Sequence, residues 1–214
     1  MANAREEILK TIQNALKEQP LEMPFPEVEN IKDYYSKDEL NLEERFATEF
    51  SNLGGKFVYC ANMNEMITQL QTLAHNLNWD SISTKDQFLL DYFSKQHLSL
   101  VQDAGDLHDM KVGISLCECL IARTGSVLLT ARQESGRSLP VYAPIHITIA
   151  FTKDLVWNIS DAMSLLKEKY QNNLPSMISL ATGPSRTADI EKTLVVGVHG
   201  PKEVYVFLVD EPNE

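Results

Sequence analysis

The residues best suited to chemistry stand together in Thr182-Gly183-Pro184-Ser185-Arg186-Thr187-Ala188-Asp189-Ile190-Glu191, followed shortly by Gly197-Val198-His199-Gly200-Pro201. Hydroxyls, an arginine and a histidine beside glycine turns suit an anion, because they supply N–H and O–H donors and a fixed positive charge. Upstream, Met177-Ile178-Ser179-Leu180-Ala181 is apolar and reads as a buried strand. Downstream, Ile190 and Leu194 are four residues apart, as on one helix face. A strand opening through a Gly-Pro turn onto a helix amino end is a place where an α/β fold binds anions, since free N–H groups and the helix dipole converge there. The same residues also read as structural punctuation, because Gly-Pro turns often precede helices.

Asp189 and Glu191 suit a first helical turn but would repel a bound anion. Arg186 either pairs with Asp189, leaving Ser185, Thr187 and backbone amides to the ligand, or faces the ligand while Asp189 orients it. The sequence leaves both open. The candidate anion-binding set is therefore Gly183, Ser185, Arg186, Thr187 and His199, with Arg132 and Arg137 expected nearby on a mobile polar loop from Ala131 to Leu139. His146, inside a strand pattern, is a further candidate, although a lone histidine is usually a structural hydrogen-bonding residue. No nucleophile elbow, phosphate-binding loop, zinc-binding H-E-x-x-H or dinucleotide fingerprint occurs, so no catalytic residue is assigned.

Composition narrows the partners. A net charge of −11 with scattered lysines leaves no basic patch for nucleic acid. Arg123, Arg132, Arg137 and Arg186 lie in the third quarter of the chain and just beyond it, which favours a small anionic ligand over a polymer. Three cysteines, Cys60, Cys117 and Cys119, make neither a disulfide framework nor a cluster or zinc site, so packed reduced thiols and no metal or cofactor are expected. No apolar run is long enough to span a membrane, and Met1 to Glu7 lacks a signal-peptide pattern, so the cytoplasm is expected.

These candidates need elements to hold them. Ile8, Leu9, Ile12, Ala15 and Leu16 form the stripe of an amphipathic helix, followed by Pro20, Pro24 and Pro26. Residues 1–30 are thus expected to form a helix and linker that pack on the chain's own domain, on a partner or on a second subunit, and 31–214 a single α/β domain. Ser36-Lys37-Asp38-Glu39 reads as a capping box for a helix ending at Gly54-Gly55. A strand at Phe57–Cys60, a helix capped by Asn62, a strand at Ser81–Ser83 and a helix through Phe93 follow. Strands at 112–116, 126–130, 145–151 and 204–209, a turn or short helix at 117–123 and a helix from Ser160 complete the pattern. This alternation predicts a mostly parallel sheet with helices on both faces.

The ten-residue segment from Thr182, the Gly-Val-His-Gly-Pro turn and the apolar strand after it closely resemble the carboxy-terminal signature of the LUD-domain family. Ile121-Ala122-Arg123-Thr124-Gly125-Ser126, the arginine-containing loop and Pro144-Ile145-His146-Ile147 resemble it too, so the likeness is strong over about residues 110–210. The amino-terminal half matches mainly in layout. The C-x-C segment and Arg123, where the family usually has an acidic residue, depart from the pattern. The resemblance implies a three-layer α/β fold shared with CoA transferases and ribose-phosphate isomerases. It implies a role in oxidation of L-lactate to pyruvate beside iron–sulfur partner proteins, with no redox centre in this chain. Two alternatives stand beside it: a stand-alone transferase or isomerase on a small anionic substrate, with Glu118 or Asp189 as acid/base, or a metabolite-binding regulatory module.

Overall fold

A computed structural model describes residues 4–18, 40–105, 109–171, 173–187 and 195–210. The chain divides into two compact units, residues 1–39 and 40–214. The first contributes helix α1 (Ala4–Glu18), whose Ile8, Leu9 and Ile12 are exposed. The proline linker and the Ser36–Glu39 capping box lie outside the described residues. Helix α2 (Leu42–Asn52) is capped instead by Asn41, whose side chain accepts from the Glu44 amide at 2.8 Å.

Within the second unit, α2 leads to strand β1 (Lys56–Cys60), helix α3 (Met63–Asn76), strand β2 (Ile82–Thr84) and helix α4 (Gln87–Lys95). The sequence reading of α3 holds in detail: Asn62 accepts from the Glu65 amide while the Glu65 carboxylate accepts from the Ala61 amide. Strand β3 (Val101–Asp103), which the sequence analysis did not anticipate, precedes β4 (Val112–Leu116). Next come β5 (Cys119–Ile121), a 3-10 turn at Ala122–Thr124, β6 (Ser126–Thr130), the short helix α5 (Leu139–Tyr142) and β7 (Ile145–Phe151). Strand β8 (Leu155–Val156), helix α6 (Ile159–Tyr170), β9 (Ile178–Ala181), β10 (Arg186–Thr187), β11 (Val195–Val196) and β12 (Glu203–Val209) finish the unit.

Six strands form one wholly parallel sheet in the order β1-β12-β7-β4-β2-β3. Alternation along each strand decides which core a side chain joins. Ile147, Ile149, Phe207 and Val209 point to the face covered by Met66, Leu70, Leu89 and Phe93 of α3 and α4. Ala150, Val204, Val206 and Leu208 point the other way, toward Phe46 and Phe50 of α2. Those two phenyl rings stack with centroids 5.3 Å apart and are fully buried. Truncating either to alanine removes a contact worth about 3–5 kcal/mol.

The α/β architecture with a central parallel sheet is therefore as read from the sequence, with one addition. On the α2 face a second sheet, ordered β8-β5-β6-β9, lies against the first through Leu120, Val127 and Leu129. Helix α6 covers its outer side through Ala162 and Leu166, which meet Cys119, Ile121 and Leu128. Two local expectations are corrected. Part of 117–123, expected as turn or helix, is strand β5, because β6 and β8 both pair with it. Segment 177–181 is a half-exposed edge strand rather than a buried one, since among the described residues β9 pairs only with β6, and Leu180 faces outward. Among the described residues no helix is long and apolar enough to cross a membrane.

Candidate functional site

The signature segment begins where β9 ends. Thr182 Oγ1 lies 2.9 Å from Ser126 Oγ, which lies 2.8 Å from Thr124 Oγ1, so three hydroxyls tie the two motif turns together. Both turns close on the carboxyl end of α2. Gly125, at φ +59°, packs so tightly that a Cβ there would stand 2.5 Å from the Phe50 amide nitrogen. Gly183, at φ +82°, packs against Leu53, where a Cβ would stand 2.9 Å from the carbonyl oxygen. Positive φ and backbone contact together leave only glycine at either place.

Arg186 completes this clasp. Its guanidinium donates to the Leu53 carbonyl at 2.5 Å, placing a cation on the negative end of the α2 dipole. Asp189, its expected partner, lies outside the described residues, as do Ile190, Glu191 and Leu194. Arg186 and Thr187 do not open a helix. They form β10, which pairs antiparallel with β11, so the anion site expected at a helix amino end does not have that geometry at these two residues. Behind the ribbon, the Ser185 amide donates to the Pro201 carbonyl and the Ser185 carbonyl accepts from the Gly197 amide, both at 2.9 Å.

These turns gather at the amino ends of β1, β12 and β7, because Lys202 and Glu203 donate their amides to the Pro144 carbonyl just before β7. The Gly197–Gly200 turn and Lys202 there face Val141, Tyr142 and Pro144 across a pocket of about 390 Å3. His199 lines it; Gly183, Ser185, Arg186 and Thr187 do not. Arg132 and Arg137 stand at the opposite end of β9, where Ala131 bonds Met177 and Arg137 donates to Ser176 Oγ. Their loop is a run of turns rather than a free segment. Gln133 donates to the Leu116 carbonyl, and the Glu134 carboxylate accepts from the Gln87 amide.

The remaining candidates are interior. His146 and Ser115 project from neighbouring strands into the seam between the two sheets, with Nε2 2.9 Å from Oγ. A hydroxyl beside an imidazole is a nucleophile–base pairing in form. Both residues are buried, however, and the space beside His146 and Thr148 is about 10 Å3, at the lower limit of what admits a single water. Burial pushes the His146 imidazole down to about 4. Glu118 is equally committed: its carboxylate accepts from Thr130, Lys169 and Tyr170, each at 2.7 Å. Burial alone would raise its carboxyl, but these hydrogen bonds and the Lys169 charge hold it below the usual range. Arg123 donates through two nitrogens to Asn158 Oδ1, joining its turn to the cap of α6.

The three thiols sit in different places. Cys60 belongs to the helix-covered core, Cys117 borders the core between the sheets, and Cys119 faces α6. Burial pushes Cys60 up to about 11 and Cys119 to about 12. Sequence reading missed Ser115, Tyr142 and Lys202. Lys202 directly follows the Gly-Val-His-Gly-Pro turn and Tyr142 precedes Pro144, so proximity to a motif was the signal available for both.

Comparison with known proteins places this arrangement. A model of the LUD domain matches residues 1–209. Lactate utilization protein C of Geobacillus thermodenitrificans is 32% identical over 144 residues, covering 66% of this chain and 57% of that protein. Its counterpart in Bacillus subtilis is 37% identical over 102 residues, covering 46% and 42% respectively. The chain thus spans about half the length of the curated relatives it matches. A crystal structure of a DUF162 family protein from Deinococcus radiodurans superimposes with a TM-score of 0.58 at 16% identity, covering 78% of this chain and 96% of that one. That likeness speaks for the fold.

Proposed function

The chain belongs to the LUD-domain family, and from that premise we propose that it serves lactate utilization as a subunit of a system that oxidises L-lactate to pyruvate. Its similarity to the lactate utilization C proteins carries this reading. Oxidation of the hydroxyl releases two electrons and two protons. In this reading the electrons pass to iron–sulfur partner proteins and this chain holds no redox centre. The separation of Cys60, Cys117 and Cys119 supports that assignment, because a cluster needs converging thiolates and these side chains enter three different packing environments. We place the protein in the cytoplasm, where such thiols stay reduced.

The partner surface is assigned to α1, whose exposed Ile8, Leu9 and Ile12 offer an apolar stripe to an iron–sulfur subunit or a second copy. Deleting residues 1–18 should release the partner or lower the oligomeric state. Unchanged assembly would remove α1 from the interface.

A small anionic ligand belongs to the same reading. His199 and Lys202 face the pocket, while Gly183, Ser185, Arg186 and Thr187 build the clasp and ribbon beside it. We therefore centre the anion on His199 rather than on the Gly183–Thr187 turn or the Arg132 and Arg137 loop. The test of function is genetic. Cells lacking this protein should lose growth on L-lactate while keeping growth on pyruvate. Normal growth on lactate, with no other lactate oxidase present, would overturn the proposal.

A further inference from the structure

We infer that the pocket between α5 and the Gly197–Gly200 turn takes a planar organic anion larger than lactate. This rests on the reading of that pocket as an anion site and does not depend on the lactate assignment. Three observations carry it.

The first is size. At roughly 30 Å3 for each water-sized group, a 390 Å3 pocket holds about a dozen, around twice what a three-carbon hydroxy acid fills. A smaller acid would leave the apolar wall facing water.

The second is the split chemistry of the walls. Val141, Tyr142, Pro144 and Val198 are apolar or aromatic, and Val141 and Tyr142 are each about half exposed, at 49% and 52%. Such side chains gain by covering a flat apolar ligand, and a half-exposed tyrosine ring offers a stacking face. Lys202 and His199 line the same pocket and bring an ammonium and an imidazole to it.

The third is charge. In a chain of net charge −11, none of the described residues lining this pocket is acidic. A carboxylate or phosphate there meets the donors of Lys202 and His199. The lining thus suits a ligand whose ring covers Val141 and Tyr142 of α5 and whose anionic group meets Lys202 and His199.

The test is a titration of the 15N-labelled full chain, following the amides of Gly197, Val198, His199 and Gly200. The probes are 2-naphthoate, the neutral 2-naphthamide, L-lactate and inorganic phosphate. The naphthoate should give saturating shifts at these amides, with the neutral amide about tenfold weaker. Lys202→Gln and Tyr142→Ala should each weaken naphthoate binding about fivefold or more while the melting temperature holds, which separates lost contacts from lost fold. Lactate or phosphate binding as tightly as naphthoate would overturn the size inference and leave the anion reading standing. Equal binding of naphthoate and naphthamide, or no shift with any probe, would overturn both.

Discussion

The guanidinium of Arg186 donates to the backbone carbonyl of Leu53 at 2.5 Å, across 133 positions of chain. The most basic residue of the signature thus holds the last turn of α2. That turn in turn sets where β1 begins, because Gly54 and Gly55 directly precede Lys56. The signature is first a structural clasp, and the pocket lies beside it.

Arg186→Ala should therefore act on stability. Losing a charged donor at an exposed helix end costs about 1 kcal/mol, which lowers the melting temperature of a domain this size by roughly 2–4 °C. Arg186→Lys should recover part of the loss by keeping the cation. Thermal unfolding measures both, and an unchanged melting temperature in the alanine variant would show that the contact does not hold α2.

The motif glycines separate conformational strain from crowding. Gly125 and Gly136 have nearly the same φ, +59° and +60°. A Cβ at Gly125 would meet α2 backbone at 2.5 Å, whereas at Gly136 the nearest atom is 4.0 Å away. Gly136→Ala should cost about 1 kcal/mol from backbone strain alone. Gly125→Ala should cost more than about 3 kcal/mol, or prevent soluble expression, because backbone cannot yield as a side chain can. Equal costs by urea unfolding would mean that α2 shifts freely away from the turn.

His146 makes stability depend on pH in a defined window. Its folded value of about 4 lies below the 6.5 of the free side chain, so between these values the unfolded chain binds more protons. The stabilisation is complete above about 6.5 and is lost as pH falls toward about 4, by on the order of 3 kcal/mol in total. Glu118 and Glu203, both held low, keep their contributions in the upper part of this window, begin to lose them as pH approaches the ordinary carboxylate value, and go on losing them below it. His146→Gln should flatten the curve between pH 6.5 and 4 while leaving the more acidic limb in place. A wild-type curve already flat there would contradict the buried neutral imidazole.

Two thiols should be silent. Cys60 and Cys119 are fully buried and titrate at about 11 and 12, so little thiolate forms at pH 8. Iodoacetamide should leave both unmodified in the folded protein and label them after denaturation. Mass spectrometry of the digested protein reads the result. Rapid native labelling of Cys119 would mean that α6 opens.

What the chain determined by itself was the part that depends on near neighbours. Asn62 and Glu65 announce the start of α3 because a cap is a contact over three or four residues. The continuous apolar runs of β7 and β12 announce central strands because both of their faces are covered. The signature announced its family by residue order alone. Tertiary structure decided the rest. Whether 178–181 is core or edge depends on its lying outside β6, and strands as short as β3 and β8 exist only through their partners. Ser115 meets His146 only because β4 and β7 align in one register. Arg186 finds Leu53, and His199 finds Lys202 and Tyr142, because folding brings distant segments to the amino ends of three parallel strands. Local pattern specifies which elements form, since backbone preference acts over a few residues; only packing over the whole chain specifies which side chains they bring face to face.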